Sequence, residues 1–175
     1  MGRILKGKGL IIKKTLFPGN LARVSIFTKE HGKVTAFAFG TKKLTSKRVS
    51  HLEVGNVITY SYRIKGDSKT LAETELEYAH SNIKSSRTRL SQMFDAFFVL
   101  NSLLPEEEAD VTAYNMTLDF LKKLHNSRAD PKDLQDFFIR LLLHMGYIDE
   151  KTAQSHHFDP AAFIEKLTDK KMKSF

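Results

Sequence analysis

Apolar and polar positions alternate through the first half of this chain and recur at three- and four-residue steps through the second. From Ile4 to Lys14 the run is strand-like, with Ile4, Leu10, Ile11 and Ile12 spaced by Gly7 and Gly9. Glycines inside a strand suit a bulge or a close backbone approach. Phe17-Pro18-Gly19-Asn20 is a turn cluster. Leu21 to Thr28 then sends Leu21, Arg23, Ser25 and Phe27 one way and Ala22, Val24 and Ile26 the other. His31-Gly32 makes a turn into a strand from Lys33 to Gly40, whose Phe37 and Phe39 are expected to fill the interior. Val57 to Ile64 alternates again, Tyr60 and Tyr62 sharing one side, although alternation alone does not say which side is buried. Lys65-Gly66-Asp67 signals a hairpin, and Thr70 to Tyr78 supplies a fifth strand.

Five short strands with glycines at the corners predict a small closed barrel, with an oligonucleotide-binding (OB) barrel leading and an SH3-like barrel as the alternative. After Tyr78 the period changes to that of helices. Ser81 to Leu104 reads as one helix ended by Pro105, and Glu106-Glu107-Glu108 as the acidic start of the next, which carries Val111, Tyr114, Leu118, Leu121 and Leu124. Asp130-Pro131 and Asp159-Pro160 each read as an N-cap followed by proline at the first helical position, and Gly146 as a C-cap between them. The expected fold is α+β in two domains: an OB barrel over residues 1–79 and an all-α bundle over 80–175.

Charge sharpens that division. The net charge is +8, and residues 1–80 hold 15 Lys+Arg against 6 Asp+Glu, while residues 81–175 hold 13 against 14. Between Glu30 and Glu53 there is no acid at all, so Lys33, Lys42, Lys43, Lys47 and Arg48 face no local counter-charge. A strand feeding such a loop suits the phosphates of a polyanion. Phe37, Phe39, Tyr60 and Tyr62 are the aromatics of this half that could stack on bases.

Other chemistry finds little support. Cysteine is absent, which excludes disulfides, thiol catalysis and thiolate metal sites and fits a reducing cytoplasm. His156 and His157 are adjacent and cannot chelate as i, i+4 ligands do, so no metal site is expected. No nucleophile elbow, phosphate loop or dinucleotide fingerprint occurs, and neither an enzyme activity nor a cofactor is expected. No apolar run approaches the ~18 residues of a membrane helix. The N-terminal segment has no long apolar stretch behind its charges, so no signal peptide is expected either.

Several segments, in order, resemble one family. They are Gly7-Lys-Gly-Leu-Ile-Ile-Lys-Lys14, the run from Leu21 to Val34 with its Phe27-Thr28 and His31-Gly32, Ala38-Phe39-Gly40-Thr-Lys-Lys43, and Ser46-Lys47-Arg48. Leu71-Ala72-Glu73 and, late in the helical half, Leu141-Leu-Leu-His-Met-Gly146-Tyr147 complete the series. Together they resemble the bacterial recombination mediator family RecO. The resemblance implies an N-terminal OB domain, a helical C-terminal domain, a cytoplasmic location and no catalytic turnover. It implies binding to single- and double-stranded DNA, annealing of complementary strands and action with RecR. It also implies loading of the RecA recombinase onto coated DNA, and recognition of the acidic C-terminal tail of single-strand-binding protein.

DNA contact carries over to Lys42, Lys43, Lys47 and Arg48, with Lys13, Lys14, Arg23 and Lys33 as further candidates. For an acidic tail the basic residues around the second and third helices, Lys122, Lys123, Arg128, Lys132 and Arg140, are the candidates, with acids expected elsewhere, at Glu106–Asp110 and Asp149-Glu150. Many members carry a four-cysteine zinc module after the Gly-Tyr; here Ile148 to Phe158 takes its place without cysteine, and the chain is short for the family. Two alternatives stand beside this reading: a general single-stranded DNA or RNA binder, and a protein-interaction module for acidic partners.

Overall fold

A computed structural model describes residues 3–40, 50–126 and 130–172. The chain forms two compact units. One comprises Met1–His80 together with Leu104–Val111; the other comprises Ser81–Leu103 and Thr112–Phe175.

The first unit is a closed barrel of β1 (Arg3–Phe17), β2 (Leu21–Thr28), β3 (Gly32–Phe39), β4 (Val57–Lys65) and β5 (Ser68–Tyr78). The strands follow the order β1-β2-β3-β5-β4 and close back onto β1. All pairs are antiparallel except β3 with β5, which run parallel and meet at Phe37 and Thr70. This is the OB fold, in α+β combination with the helices that follow. Alternation fills the interior: Ile11, Val24, Ile26, Val34, Ala36, Ala38, Ile58, Tyr60, Tyr62 and Leu71 form one buried cluster. Tyr60 and Tyr62 therefore face inward, their rings stacked at 5.8 Å. Phe37 and Phe39 do not. They occupy the odd-numbered, outward positions of β3, and Phe39 is 55% exposed, contrary to the expectation that they fill the barrel. Small side chains at Ala36 and Ala38 take the inward positions instead, leaving room for the two tyrosine rings across the interior.

One irregularity matters for everything outside. The pairing of β1 with β2 shifts between Ile11 and Lys13. Inserting a residue there reverses which side chains point outward along the rest of the strand.

The second unit contains α1 (Ser81–Lys84), α2 (Arg87–Leu103), α3 (Val111–Asn126), α4 (Pro131–His144), α5 (Glu150–Ala153) and α6 (Pro160–Thr168). The single helix expected from Ser81 to Leu104 is broken at Ser85-Ser86. Ser85 Oγ donates to the Asn82 carbonyl, a local bond that competes with continued helix. The two Asp-Pro starts form as read: Asp130 Oδ1 accepts from Lys132 N at 2.9 Å, and Asp159 Oδ1 from Ala161 N and Ala162 N at 3.0 and 3.1 Å. Gly146 (φ +74°) closes α4, with Gly146 N bonded to Leu143 O and Tyr147 N to Leu142 O, the paired bonds of a glycine-terminated helix. Among the described residues no helix is long and apolar enough to cross a membrane.

Glu106-Glu107-Glu108 do not open a helix. The helix starts only at Val111, and Leu104–Val111 belongs to the barrel unit as an extended strap. Its carboxylates find cations on the barrel: Lys33 Nζ lies 3.4 Å from Glu106 Oε1, and Lys69 pairs with Glu107.

Candidate nucleic-acid interface

The register of β1, β2 and β3 builds a three-by-three grid on the outside of the barrel. Lys13, Ser25 and Thr35 form one row; Thr15, Arg23 and Phe37 the next; Phe17, Leu21 and Phe39 the last. The bulge before Lys13 is what aligns Lys13, Thr15 and Phe17 with the outward residues of β2. Lys13, Arg23 and Phe39 are exposed, and Thr15, Phe17, Leu21 and Phe37 half-exposed. The Arg23 guanidinium lies over the Phe17 ring, 5.9 Å from its centroid, and Phe37 stands directly across from it on β3. No carboxylate occupies any of the nine positions. A cation beside aromatic rings can meet the phosphate of a nucleotide while the rings meet its base.

The basic stretch leaves the barrel beside this grid. Gly40 N, next to Phe39, donates to the carbonyl of Asn20 in the β1–β2 turn at 2.9 Å. The chain is fastened again at its return, where Asn56 Nδ2 donates to the Ser50 and His51 carbonyls at 2.7 and 3.0 Å and Leu52 is fully buried. Lys42, Lys43, Lys47 and Arg48 themselves lie outside the described residues.

The remaining barrel candidates separate. Arg23 and Lys13 sit on the grid, whereas Lys14, one position on, points to the other side of the strand and pairs with Glu53 at 2.8 Å. Lys33 is 8% exposed and does have a counter-charge, Glu106, 73 positions along the chain and out of reach of any local reading. Thr35 Oγ1 donates to the same carboxylate at 3.0 Å, and Glu107 N donates to the Lys33 carbonyl at 2.8 Å. Lys33 is thus a fastening for the strap. Around the barrel the charge reverses: β5 turns Glu73, Glu75 and Glu77 outward beside Thr59 and Ser61 of β4 and Lys6 and Lys8 of β1, with Lys8 paired to Glu77 at 3.3 Å. An open groove of about 550 Å³ runs along that side. Its glutamates repel phosphate, so an anionic strand is favoured on the β1–β2–β3 side.

In the helical unit, Lys123 and Arg140 line a groove of about 250 Å³ between α3 and α4, with Phe120 and Phe137 stacked at its floor, 4.9 Å apart. Asp119, Asp133 and Asp136 line it too, and Lys123 lies 3.8 Å from Asp133. The acids are therefore not segregated from these basic residues as expected, because helical spacing brings Asp119 and Asp136 onto the groove-lining faces. Lys122 and Lys132 are exposed, and Arg128 lies outside the described residues.

Comparison with known proteins bears on the whole arrangement. The family described as Recombination protein O N terminal matches residues 1–80, the barrel. The chain is 30% identical over 149 residues to a protein of Dehalococcoides mccartyi named DNA repair protein RecO, an alignment covering 83% of this chain and 57% of that protein. It is 24% identical over 149 residues to the DNA repair protein RecO of a Thermoanaerobacter species, covering 85% and 60%. A third relative of the same name, from Rickettsia felis, is 22% identical over 139 residues, covering 79% and 49%. These alignments run well beyond the barrel. The chain is similar to RecO proteins over most of its own length. It spans about half to three-fifths of the length of these curated relatives.

Of the three phenylalanines of the grid, the sequence names Phe37 and Phe39 as aromatics that could stack on bases but favours the barrel interior for them, and it passes over Phe17. Phe17 reads as part of the turn cluster that runs to Asn20. The signal that could have found Phe37 and Phe39 is the strict alternation of β3, in which Ala36 and Ala38 already supply an apolar inward face.

Proposed function

We propose that this protein is a member of the RecO family and acts in DNA repair as a non-enzymatic recombination mediator. It binds single- and double-stranded DNA through its barrel half and anneals complementary strands. With RecR it helps load RecA onto DNA coated by single-strand-binding protein. The observation that carries the DNA-binding part is the outer face of β1–β2–β3, whose own nine residues include Arg23 and Lys13 and no acid, with Glu106 of the strap reaching only its Thr35 corner and the acid-free basic stretch leaving from the opposite edge. Lys42, Lys43, Lys47 and Arg48 are assigned to phosphate contact on that basis and on family resemblance. The groove of Lys123 and Arg140 is assigned to the coat protein's acidic tail, with the carboxylates of that groove leaving room for only a few anionic contacts at a time.

Fluorescence anisotropy with a labelled oligonucleotide tests the first assignment. If about six phosphates are neutralised, affinity falls roughly 10³-fold between 50 and 200 mM salt. Changing Lys42, Lys43, Lys47 and Arg48 together to Glu should weaken binding to every sequence alike and flatten the salt dependence. Affinity that survives this change places the phosphate contacts elsewhere. Annealing of complementary DNA strands, compared with RNA strands and repeated with coat protein and RecR present, separates a recombination mediator from a general single-strand binder.

A further inference from the structure

The grid carries more apolar surface than phosphate contact requires. Phosphates are held by cations, backbone amides and hydroxyls, yet four of the nine positions on this face are Phe17, Leu21, Phe37 and Phe39. Single exposed phenylalanines are ordinary on a protein surface. Phe17, Phe37 and Phe39 share one sheet face with Arg23 at neighbouring register positions, and so are not scattered singly. Phe39 turns 55% of its surface to solvent at the edge from which the basic stretch departs. The Arg23 guanidinium lies over the Phe17 ring, and among the described residues no carboxylate forms an ion pair with it.

We infer that Phe17, Arg23, Phe37 and Phe39 form a stacking platform for the unpaired bases of single-stranded DNA. The inference rests on the DNA-binding reading above and adds to it the mode of contact. Charge complementarity selects a polyanion over a second copy of this face, which would bring Arg23 and Lys13 against their own equivalents. Exposed aromatic faces then select a strand whose bases are open, because the bases of a duplex are stacked on one another and offer no π-face. A strand held this way gives up the platform once it pairs with its complement, so the contact favours single strands and releases duplex.

The chain has no tryptophan, so Phe39→Trp introduces a unique fluorophore on an exposed position of the platform. Titrating the Phe39→Trp protein with oligo(dT) should quench tryptophan emission, whereas a duplex of the same length should leave it nearly unchanged. In parallel, the Phe37→Ala/Phe39→Ala double variant should bind oligo(dT) about 10- to 100-fold more weakly, with duplex affinity and the slope of affinity against salt unchanged. Phe39→Tyr should retain binding and Phe39→Leu weaken it, by less than the double variant does, which separates ring stacking from apolar area. Circular dichroism of each variant checks that the barrel is intact.

An unquenched tryptophan together with wild-type oligo(dT) affinity in the double variant overturns the platform. So does a change in sedimentation rather than in DNA affinity, which would mark the patch as a contact between copies. If the platform fails while the Lys42, Lys43, Lys47 and Arg48 reversal still weakens binding, DNA binding stands without stacking. If the wild-type protein binds no oligonucleotide at low salt, the DNA-binding reading itself has failed.

Discussion

Asp95, on α2, is the one carboxylate here whose burial moves its pKa far, from 3.8 up to about 6. Desolvation disfavours its charged form, and no cation compensates in setting that value. The folded state therefore holds the proton over a range in which the unfolded chain has already released it. Its contribution to stability is present below about pH 4, is lost as pH rises from about 4 to 6, and stays lost at neutral pH. A displacement of this size corresponds to about 3 kcal/mol. The half-exposed group is screened by solvent, and about 1 kcal/mol is the expected remainder. Asp95→Asn should accordingly stabilise the protein at pH 7 by about that much. The gain should disappear at pH 4, as urea denaturation at the two values would show. A stabilisation equal at both pH values would mean that charge is not its source. Nothing in the sequence marks Asp95 apart from the other acids of the helices, because partial burial of a carboxylate depends on what packs around α2. The N-caps Asp130 and Asp159 were legible for the opposite reason, since a cap's partners lie two and three residues away.

At the scale of elements, the strap from Leu104 to Val111 shows how a local preference gives way to a distant partner. Three successive glutamates after a proline favour a helix start, but only in the absence of stronger partners. The barrel supplies them through Lys33, Thr35 and Lys69, and Glu107 adopts a left-handed φ of +60° to follow the surface. Gly32 makes the fit possible. It has φ +66°, and a Cβ there would overlap the backbone carbonyl of Glu108. Gly19 has a similar φ of +77° but open space around it. Gly19→Ala should therefore cost about 1 kcal/mol for backbone conformation alone. Gly32→Ala should cost about 2–4 kcal/mol, since the strap must also be displaced. Equal losses in urea unfolding would mean that the strap does not press on Gly32. Sequence alternation located all five strands and the two tyrosines' shared side. It could not locate the extra residue near Ile12 that turns Lys13 outward and Lys14 inward, because a bulge is defined by the partner strand.

At the scale of the molecule, compositional halves and structural units coincide except for the strap, and that exception has consequences for stability. The family match ends at residue 80, and a fragment cut there looks like a complete barrel. It lacks residues 104–111, which the structure assigns to the same unit. β3 meets β5 at only Phe37 and Thr70, so its first residues, Gly32 to Ala36, have no ladder to β5. The strap takes that edge, with a parallel bridge between Lys33 and Glu106. Without it, the edge is an exposed template for association, and Lys33 loses its counter-charge. Two ion pairs with half-exposed partners contribute little each, about 0.5 kcal/mol. The hydrogen bonds of Thr35 and Glu107 contribute about 1 kcal/mol each, for a total of about 2–3 kcal/mol before ordering of the strap is subtracted. The test compares fragment 1–80 with the same fragment joined to residues 104–111 by a Gly/Ser linker matching the length of 81–103, whose root-mean-square span of about 25 Å leaves the strap free to reach β3. The strap-bearing fragment should be more stable by about 1–3 kcal/mol after that subtraction and should stay monomeric at concentrations where fragment 1–80 self-associates. Hydrogen exchange should show the gain concentrated on the amides from Gly32 to Ala36. If the two fragments melt together and exchange alike, the strap lies on the barrel without supporting it, and residues 1–80 form the complete domain.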